Sequence, residues 1–513
     1  MKMDNRSRIE AFLERLFPIC ESWIQERDGV LSFVDPIEGK EISAHYGATH
    51  MAVAMMLYGS FAKQEQRHEI GGRLMDSILK RWEHNKKSPV FHNDFNNFAL
   101  CVFEDYSQDA AICGKIRETV LATEDSNHNT VNWLPMRWFV NRKRYAWTHN
   151  DRYQKLCEKC DGLIRKATNA DGGIEDRLPV GESFNLQYDI ATVAALNYLK
   201  CRGAKIDISR SVEFLMNSVL PDGDINYQGR GTNQIFAWGP WVYLLSSMGR
   251  DDCLGGALDY LEPRVEKMFV NRNLMLNDYP GDYKYLWWDY HYCSVYCAHF
   301  LFWLVLSLLD KDKTEVSTTG VAESTATGLH LLRGNDAVVA VFDGRKRYLS
   351  ERGPVVCAIW TKRYGVISKG SFGPWMGAFG NLYSNETVIT NHIGLLGYRR
   401  KRWNGFVGKV LDRMCEKRHH ITAERPMPLF APIETVFEKD RLKLLWRNES
   451  GSTAILNLPV FDDCNLNPAV GLSVDGQSVE IIPVGKIKNQ YGWCDLYQSR
   501  VNAGRNWELT ILI

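Results

Sequence analysis

The spacing of apolar residues changes once along this chain, near residue 312, and that change constrains the fold more than any other feature. Before it, apolar side chains recur at helical spacing, as within residues 9–17. After it, short alternating runs such as 337–342 and 507–513 are separated by clusters of Gly, Asn, Asp and Pro. Helices followed by strands favour segregated domains. We therefore predict a helical domain in residues 1–315 and an antiparallel β-sandwich in residues 316–513.

The helical part contains a weak internal repeat of segments that open with a polar, amide- or histidine-rich cluster and then turn apolar. These segments begin near His45, His92, Asn132, Asn185, Asn233 and Asp289. Their spacing of roughly 40–56 residues is about the length of one helical hairpin. In a ring of hairpins the inner helices are buried on most sides, so they are apolar nearly all round. We therefore predict an incomplete (α/α) toroid whose inner helices begin at these clusters.

The polar clusters have two explanations. Asn, Asp and Ser commonly cap helices, so the clusters are explained in part as independent N-caps. Capping accounts for one polar residue per helix, but not for the additional His, Gln, Tyr and Asn side chains one turn further in. In a toroid the N-terminal ends of the inner helices meet at one mouth, with free N–H groups and positive dipole ends. We favour a shared cleft at that mouth.

Residues 221–238 contain the strongest candidate segment, in which Arg230 lies between Gly229 and Gly231. The glycines let the backbone turn sharply and approach a ligand closely. An arginine there is poorly placed for core packing, and its forked donors suit a carboxylate. A turn with a solvent-facing arginine is the alternative. The same segment supplies candidate substrate-binding side chains, namely Tyr227, Asn233, Gln234 and Trp238.

Three further segments supply candidates for proton transfer and for substrate binding. Asn185 and Tyr188 are three residues apart and share a face of one helix start, where a phenol can serve as a base unless it is simply buried. His291 is the best imidazole candidate for proton transfer, although a lone histidine on an apolar helix is usually a core residue. The remaining candidates are amides, aromatic rings and one more imidazole: Asn132, Trp133, Tyr46, His92 and Asn97.

This layout resembles the polysaccharide lyases that combine an (α/α) toroid with an antiparallel β-sandwich, the heparinase, alginate lyase and chondroitin lyase type. The resemblance implies β-elimination from a uronate-containing polysaccharide or oligosaccharide, with an anionic glycan as the partner. The developing enolate is then held by amides and Arg, which do not titrate. By resemblance the roles are carboxylate neutraliser for Asn132 or Asn185, base and acid for Tyr188, carboxylate clamp for Arg230, and second base for His291 or His92.

Two other functions use the same cleft. A glycoside hydrolase needs two carboxylates on either side of the scissile bond, and the candidates are Asp94, Asp171, Glu175, Asp222, Asp224 and Asp289. The lyase is preferred because amides, Tyr and Arg outnumber carboxylates at the polar helix starts. A non-catalytic glycan-binding protein is the third possibility, with the aromatic cleft but no proton-transfer pair.

Composition narrows the partners and the compartment. A net charge of +1 provides no field that attracts nucleic acid or an anionic membrane. Thirteen irregularly spaced cysteines do not form a disulfide framework and indicate a reducing compartment. The N-terminus has no signal-peptide core and the apolar run 299–309 is too short to span a bilayer, so we expect a cytoplasmic protein. The pair Cys157 and Cys160 lacks two further ligands. We expect neither a metal nor a cofactor, and the oligomeric state stays open.

Overall fold

The computed structural model describes residues 3–84, 92–126, 130–178, 184–229, 232–270, 292–310, 326–342, 355–369, 382–383, 434–447, 454–461, 470–489, 491–501 and 506–512. Its helical part alternates inner and outer helices. The inner helices are α2 (Gly47–Phe61), α4 (Asn93–Tyr106), α6 (Leu134–Thr148), α8 (Leu186–Cys201), α10 (Trp238–Ser247) and α12 (Cys293–Leu309). The outer helices are α1 (Asn5–Glu21), α3 (Glu65–His84), α5 (Ala110–Ala122), α7 (Asp151–Ala167), α9 (Ser209–Asn217) and α11 (Asp251–Val270).

Burial separates the two sets of helices as the apolar pattern predicts. In α12 every residue from Cys293 to Leu308 is buried, and α8 is buried from Leu186 to Leu199. The outer helix α7, in contrast, buries only Cys157, Cys160, Ile164 and Ala167. An inner helix is covered by both ring neighbours and by its outer partner, whereas an outer helix needs only one apolar stripe. Among the described helices, none has the length and apolar character needed to cross a membrane.

The inner helices form a closed ring. Each of them contacts the next in chain order, and α12 contacts α2. Closure is possible because the first helix of the chain, α1, packs on α12 as its outer partner, where Phe12 meets Phe300 edge to face at 5.9 Å. The prediction of an incomplete toroid is therefore wrong in this respect. The apolar pattern revealed the hairpins, but it did not reveal that α1 completes the last one.

Close approach of the inner helices depends on glycine. A Cβ added at Gly239 in α10 would lie 2.8 Å from the Phe300 carbonyl oxygen and 3.0 Å from its Cα in α12. We expect Gly239→Ala to lower the free energy of unfolding by about 1–3 kcal/mol, because the backbones must move apart. Gly114→Ala in α5 is the control, since no atom lies within 4 Å of the added Cβ. Urea denaturation should show that the control gains about 0.5–1 kcal/mol in free energy of unfolding. If both variants lose the same free energy of unfolding, the packing argument is contradicted.

One hairpin interrupts the helical part. Strands β1 (Ile24–Arg27) and β2 (Val30–Phe33) pair antiparallel between α1 and α2. Asp28 and Gly29 form the two-residue turn with φ of 52° and 75°. Positive φ at both positions is the geometry that favours an Asp-Gly hairpin turn.

The described strands that follow α12 are antiparallel, as predicted. Their bounds are β3 (Leu329–Arg333), β4 (Ala337–Phe342), β5 (Val355–Thr361), β6 (Gly365–Lys369), β7 (Leu382–Tyr383), β8 (Glu434–Phe437), β9 (Arg441–Arg447), β10 (Ala454–Phe461), β11 (Val470–Val474), β12 (Gln477–Val479), β13 (Ile482–Asn489), β14 (Gly492–Val501) and β15 (Asn506–Leu512). They form three sheets with strand orders β3-β4-β5-β6, β13-β14-β10-β7 and β12-β11-β15-β9-β8. Face-to-face packing as a sandwich, and the exact domain boundary, stay predictions.

Candidate functional site

At the N-termini of four inner helices, the side chain of the N-cap residue does not form a capping hydrogen bond. Tyr46, His92, Trp133 and Tyr292 occupy the N-cap positions of α2, α4, α6 and α12, and none of these side chains accepts a capping hydrogen bond. Asn185 differs, because its side-chain oxygen accepts from the backbone N–H of Gln187 at 3.0 Å. Independent capping therefore explains the polar start of α8, but not those of the other four helices.

The uncapped side chains meet at one end of the ring. The rings of His45 and His92 stack with centroids 4.1 Å apart, and Tyr292 lies 5.0 Å from His45. Trp133 lies 5.1 Å from His92, and Tyr46 lies 5.6 Å from His92. We call these five residues the mouth cluster. His45, His92 and Tyr292 are partly exposed, whereas Tyr46 and Trp133 are buried beneath them.

A backbone contact fixes the tautomer of His92. Its Nδ1 lies 3.1 Å from the carbonyl oxygen of Ala44, and a carbonyl can only accept, so Nδ1 carries the proton. The lone pair of the neutral ring is then on Nε2. A histidine held in this way is prepared to take up a proton at Nε2.

Two buried imidazoles form the floor beneath the mouth cluster. His50 Nε2 donates to the Phe95 carbonyl at 3.3 Å, so His50 Nδ1 accepts a hydrogen bond from His299 Nδ1, also at 3.3 Å. His299 stacks on Phe236 with centroids 4.3 Å apart. Its Nε2 is buried without a hydrogen-bond partner among the described residues. Burial lowers the pKa of His50 to about 3 and that of His299 well below its ordinary value, so both stay neutral.

The neutral floor makes stability depend on pH. Between about pH 6.5 and pH 3 the unfolded chain takes up a proton at His50 while the folded chain does not, so stability falls as the pH falls. Wild-type protein should lose about 1.4 kcal/mol per pH unit in this window relative to His50→Leu. Urea denaturation of both proteins across the window measures this difference. The variant is needed as a reference because burial raises the pKa of Asp94 and Asp189, and these two carboxyls make the protein more stable as the pH falls. If stability changes with pH in the same way in both proteins, the expectation is contradicted.

Two more predicted residues lie near this end of the ring. Tyr188 on α8 is 9% exposed and meets Phe236 edge to face at 6.2 Å. Asn132 lies in the short 3-10 turn Val131–Trp133, and its side-chain oxygen is buried with no partner in the part of the chain that the structure describes. Of the predicted residues, the structure therefore brings Tyr46, His92, Trp133, Asn132 and Tyr188 to the same end.

Three predicted residues face the outer layer instead. The Asn97 side-chain amide donates at 2.9 Å to the hydroxyl of the threonine at the C-cap of α5. The Tyr227 hydroxyl donates at 2.8 Å to the backbone carbonyl of the serine at the C-cap of α9. Trp238 stacks on Tyr260 of α11 with centroids 5.0 Å apart. Each residue advances an α-helix by about 100°, so Asn97, five positions after His92, points to a different side of its helix. The structure thus places these three outside the mouth.

The remaining predicted residues belong to the loop before α10 or cannot be placed. Asn233 adopts φ of 61°, and its side-chain oxygen accepts from Arg264. The carbonyl of Gln234 accepts from the Asn226 side chain at 3.2 Å. Arg230 and His291 lie outside the described residues.

The carboxylates proposed for a hydrolase are engaged elsewhere. Asp94 accepts two hydrogen bonds from Arg137, at 3.2 and 2.9 Å, and burial raises its pKa to about 6 against the effect of Arg137. The Asp171 carboxylate accepts from the backbone N–H of Thr327. The Glu175 carboxylate accepts from the side-chain amide of the asparagine six residues before it. Asp222 and Asp224 pair with Lys369. Asp289 lies outside the described residues.

Sequence reasoning missed four residues of this site. His45 and His50 stood in the first polar cluster, where two histidines five residues apart were a usable signal. Tyr292 directly follows the predicted His291, and His299 lies in the apolar run where a histidine is unexpected. Within the described ranges, no group of three or more His, Cys, Asp or Glu side chains is arranged to hold a metal. Cys157 and Cys160 are free thiols, as are the eight other cysteines whose side chains the structure describes.

Comparison with known proteins gives structural likeness only. No family model matches the sequence, and no curated protein matches it significantly. Similar solved structures include an α-1,6-mannanase from Salegentibacter sp. HEL1_6 (12% identity, TM-score 0.43, 59% of this chain and 99% of that chain) and an unsaturated glucuronyl hydrolase from Streptococcus agalactiae (10%, 0.42, 62% and 94%). A polysaccharide lyase is also similar (12%, 0.36, 52% and 89%). These glycan-processing enzymes include hydrolases as well as a lyase, and at such identities and TM-scores none of them identifies an activity for this chain.

Proposed function

We propose that this chain is a polysaccharide lyase that cleaves a uronate-containing polysaccharide or oligosaccharide by β-elimination at the mouth of the helical ring. The observation that carries this proposal is the mouth cluster: partly exposed imidazole and phenol groups from adjacent inner helices contact one another and are not used for capping. Imidazoles and phenols can transfer protons, which is what elimination next to a carboxylate requires.

In the proposed reaction, His92 is the base. Its Nε2 takes the proton from C5 of the uronate, and the electron pair of that C–H bond forms the C4–C5 double bond. The bond between C4 and the glycosidic oxygen breaks, and that oxygen takes a proton from the Tyr292 phenol. The support for His92 is its partial exposure and the Nδ1 contact with Ala44, which leaves the lone pair on Nε2.

Tyr292 is preferred over Tyr188 as the proton donor. The base acts at C5 and the acid acts on the oxygen bonded to the adjacent C4, so the two groups must be close to each other. His92 and Tyr292 both flank the His45 ring, whereas Tyr188 lies on the side of Phe236. We assign Trp133 as the stacking platform for the sugar, and Asn132 and Arg230 as the groups that neutralise the substrate carboxylate.

A panel of uronate polymers tests the proposal. The wild-type protein should generate the ultraviolet absorbance of an unsaturated uronate on at least one polymer, and Tyr292→Phe should abolish most of that signal while Tyr188→Phe retains it. The reverse order of the two tyrosine variants would move the acid to Tyr188. New reducing ends without the absorbance would reject elimination, and binding without either product would indicate a glycan-binding protein.

A glycoside hydrolase is the second candidate, and one observation favours it. Asp189 on the first turn of α8 is fully buried, and this burial raises the pKa of its carboxyl well above the ordinary value. A carboxyl whose pKa is raised by its surroundings is what a general acid requires. If the chain is a hydrolase, Asp189→Asn should stop the release of reducing ends while His92→Gln leaves it largely intact.

A further inference from the structure

The first turn of α12 is capped by a carboxylate from a distant part of the chain. Ser294, the second residue of this helix, donates its backbone N–H to Asp35 Oδ2 at 2.8 Å and its hydroxyl to the same oxygen at 2.9 Å. The first N–H groups of an α-helix have no acceptor inside the helix, and an N-cap side chain usually supplies one. At α12 the N-cap residue is Tyr292, whose side chain does not. Asp35, which is 259 residues away in the sequence, supplies the acceptor instead.

Asp35 is itself fixed by its surroundings. Its second carboxylate oxygen, Oδ1, accepts from the backbone N–H groups of Ile37 and Glu38 at 2.9 and 3.0 Å. Its backbone N–H donates to the carbonyl of Lys40 at 2.9 Å, so residues 35–40 form a closed turn. The side chain is fully buried. Four hydrogen bonds therefore orient this one carboxylate, two from its own turn and two from the first turn of α12.

The same segment of the chain reaches the mouth cluster. Residues 35–45 lead from this turn to His45, whose ring lies 5.0 Å from that of Tyr292. Directly before His45, the carbonyl of Ala44 contacts His92 Nδ1 at 3.1 Å. One segment thus contacts both residues to which we assign proton transfer. Its link to the helix that begins at Tyr292 is the pair of bonds described above.

Close packing brings the starts of α2 and α12 together. A Cβ added at Gly47, the first residue of α2, would lie 2.9 Å from the Cα of Val295 in α12. This contact limits how near the two helices can lie. The Asp35 bonds act on Ser294, the residue before Val295, and so fix where the chain enters α12. Tyr292 lies at that entry, as the N-cap residue.

We propose that Asp35 is a positioning residue that holds Tyr292 where its phenol can protonate the leaving oxygen. This inference rests on the proposed lyase function, in which Tyr292 is the proton donor. Asp35 does not need to touch the substrate, because it acts through Ser294. Without this carboxylate the Ser294 N–H loses its acceptor, and the first turn of α12 loosens. A displaced donor stabilises the transition state less but leaves substrate binding nearly unchanged, so kcat should fall while KM changes little.

Two matched variants each remove a carboxylate that caps a helix. Asp35→Ala removes the cap of α12. Asp109→Ala is the control: Asp109 is exposed at the N-cap of the outer helix α5, at the opposite end of its hairpin from the mouth, and accepts from the backbone N–H groups of Ala111 and Ile112 at 2.9 and 3.1 Å. Asp35→Asn keeps the volume and one acceptor oxygen. It should lie between wild type and Asp35→Ala, and it replaces the alanine variant if that variant does not fold.

Two substrates separate positioning of the donor from general loosening. The leaving oxygen of a uronate polymer needs a proton, whereas a synthetic uronate with nitrophenoxide at C4 releases it as a stable anion. On the polymer, Asp35→Ala should lower kcat about 100-fold, the size of effect that a small misplacement of a catalytic group can have. On the synthetic substrate it should lose less than about threefold, because no proton donor is needed there. Tyr292→Phe should show the same pattern, and Asp109→Ala should match wild type on both substrates. Equal losses of Asp35→Ala on both substrates, or an unchanged kcat on the polymer, overturn the inference.

Hydrogen exchange on the full-length protein tests the contact without the reaction. Exchange of the Ser294 amide should be at least about tenfold faster in Asp35→Ala than in wild type, because a hydrogen bond to a carboxylate is lost. It should be unchanged in Asp109→Ala. Unchanged exchange in Asp35→Ala overturns the inference. A wild type that cleaves no uronate rejects the proposed function instead, and exchange alone then decides whether Asp35 holds the start of α12.

Discussion

Replacement of His92 by glutamine should lower kcat/KM on the cleaved polymer by about 10²–10⁴-fold, the range expected for loss of a general base. Glutamine places an uncharged amide of similar size next to the Ala44 carbonyl, which His92 Nδ1 contacts at 3.1 Å in the wild type. It has no group that takes up a proton near neutral pH. The variant should therefore fold normally and bind the glycan, and the loss should appear in kcat. Initial rates from the ultraviolet absorbance of the product measure the effect.

A histidine far from the mouth provides the control for this experiment. His149 is exposed at the C-cap of α6, the opposite end of an inner helix, in the left-handed conformation that asparagine also tolerates. His149→Asn should change kcat/KM by less than about twofold, in line with the small effects of surface substitutions. If His92→Gln is as active as His149→Asn, the base has been assigned to the wrong residue.

Replacement of Arg137 by methionine should lower the free energy of unfolding by about 3–5 kcal/mol. Arg137 and Asp94 join the first turns of α4 and α6 through two hydrogen bonds, and their side chains are only 9% and 1% exposed. Methionine fills much of the same volume but leaves the Asp94 carboxylate buried without its cation. Urea denaturation near pH 7.5 measures the loss.

Two comparisons identify the buried charge as the cause of this loss. The double variant Asp94→Leu/Arg137→Met should recover most of the stability, because an apolar pair of similar volume replaces the ion pair. The cost of Arg137→Met should also shrink as the pH falls from 7.5 toward about 6, because Arg137 lowers the pKa of Asp94, so Asp94 takes up its proton at a higher pH in the variant than in the wild type. An equal cost at pH 5 and pH 7.5, or a double variant as unstable as the single one, would point to lost packing instead.

The order of elements was accessible from the sequence because the hydrophobic period records it directly. Alternation of all-round apolar helices with one-sided helices such as α7 predicted inner and outer layers, and the shift to alternating runs predicted the antiparallel strands. The polar starts at His45 and His92 predicted where the inner helices begin. These are local signals, which depend only on residues close together in the chain.

The direction of individual side chains was not accessible in the same way. Each residue turns a helix by about 100°, so an error of one or two residues in a helix start moves a side chain from the mouth to the outer layer. Asn97 and Trp238 were misplaced for this reason. Asp94 and Arg137 are 43 residues apart in the sequence, and no local pattern predicts that they form an ion pair.

Closure of the ring through α1 has a consequence for how the chain is made. Phe12 and Phe300 meet in the finished ring, but a ribosome adding about 5–20 residues per second needs roughly 15–60 s to pass from one to the other. During that interval the apolar stripe of α1 has no α12 to cover it, so we expect this part of the nascent chain to be prone to aggregation. A permuted gene that encodes α1 directly after α12 would remove the delay and should give less aggregation during synthesis.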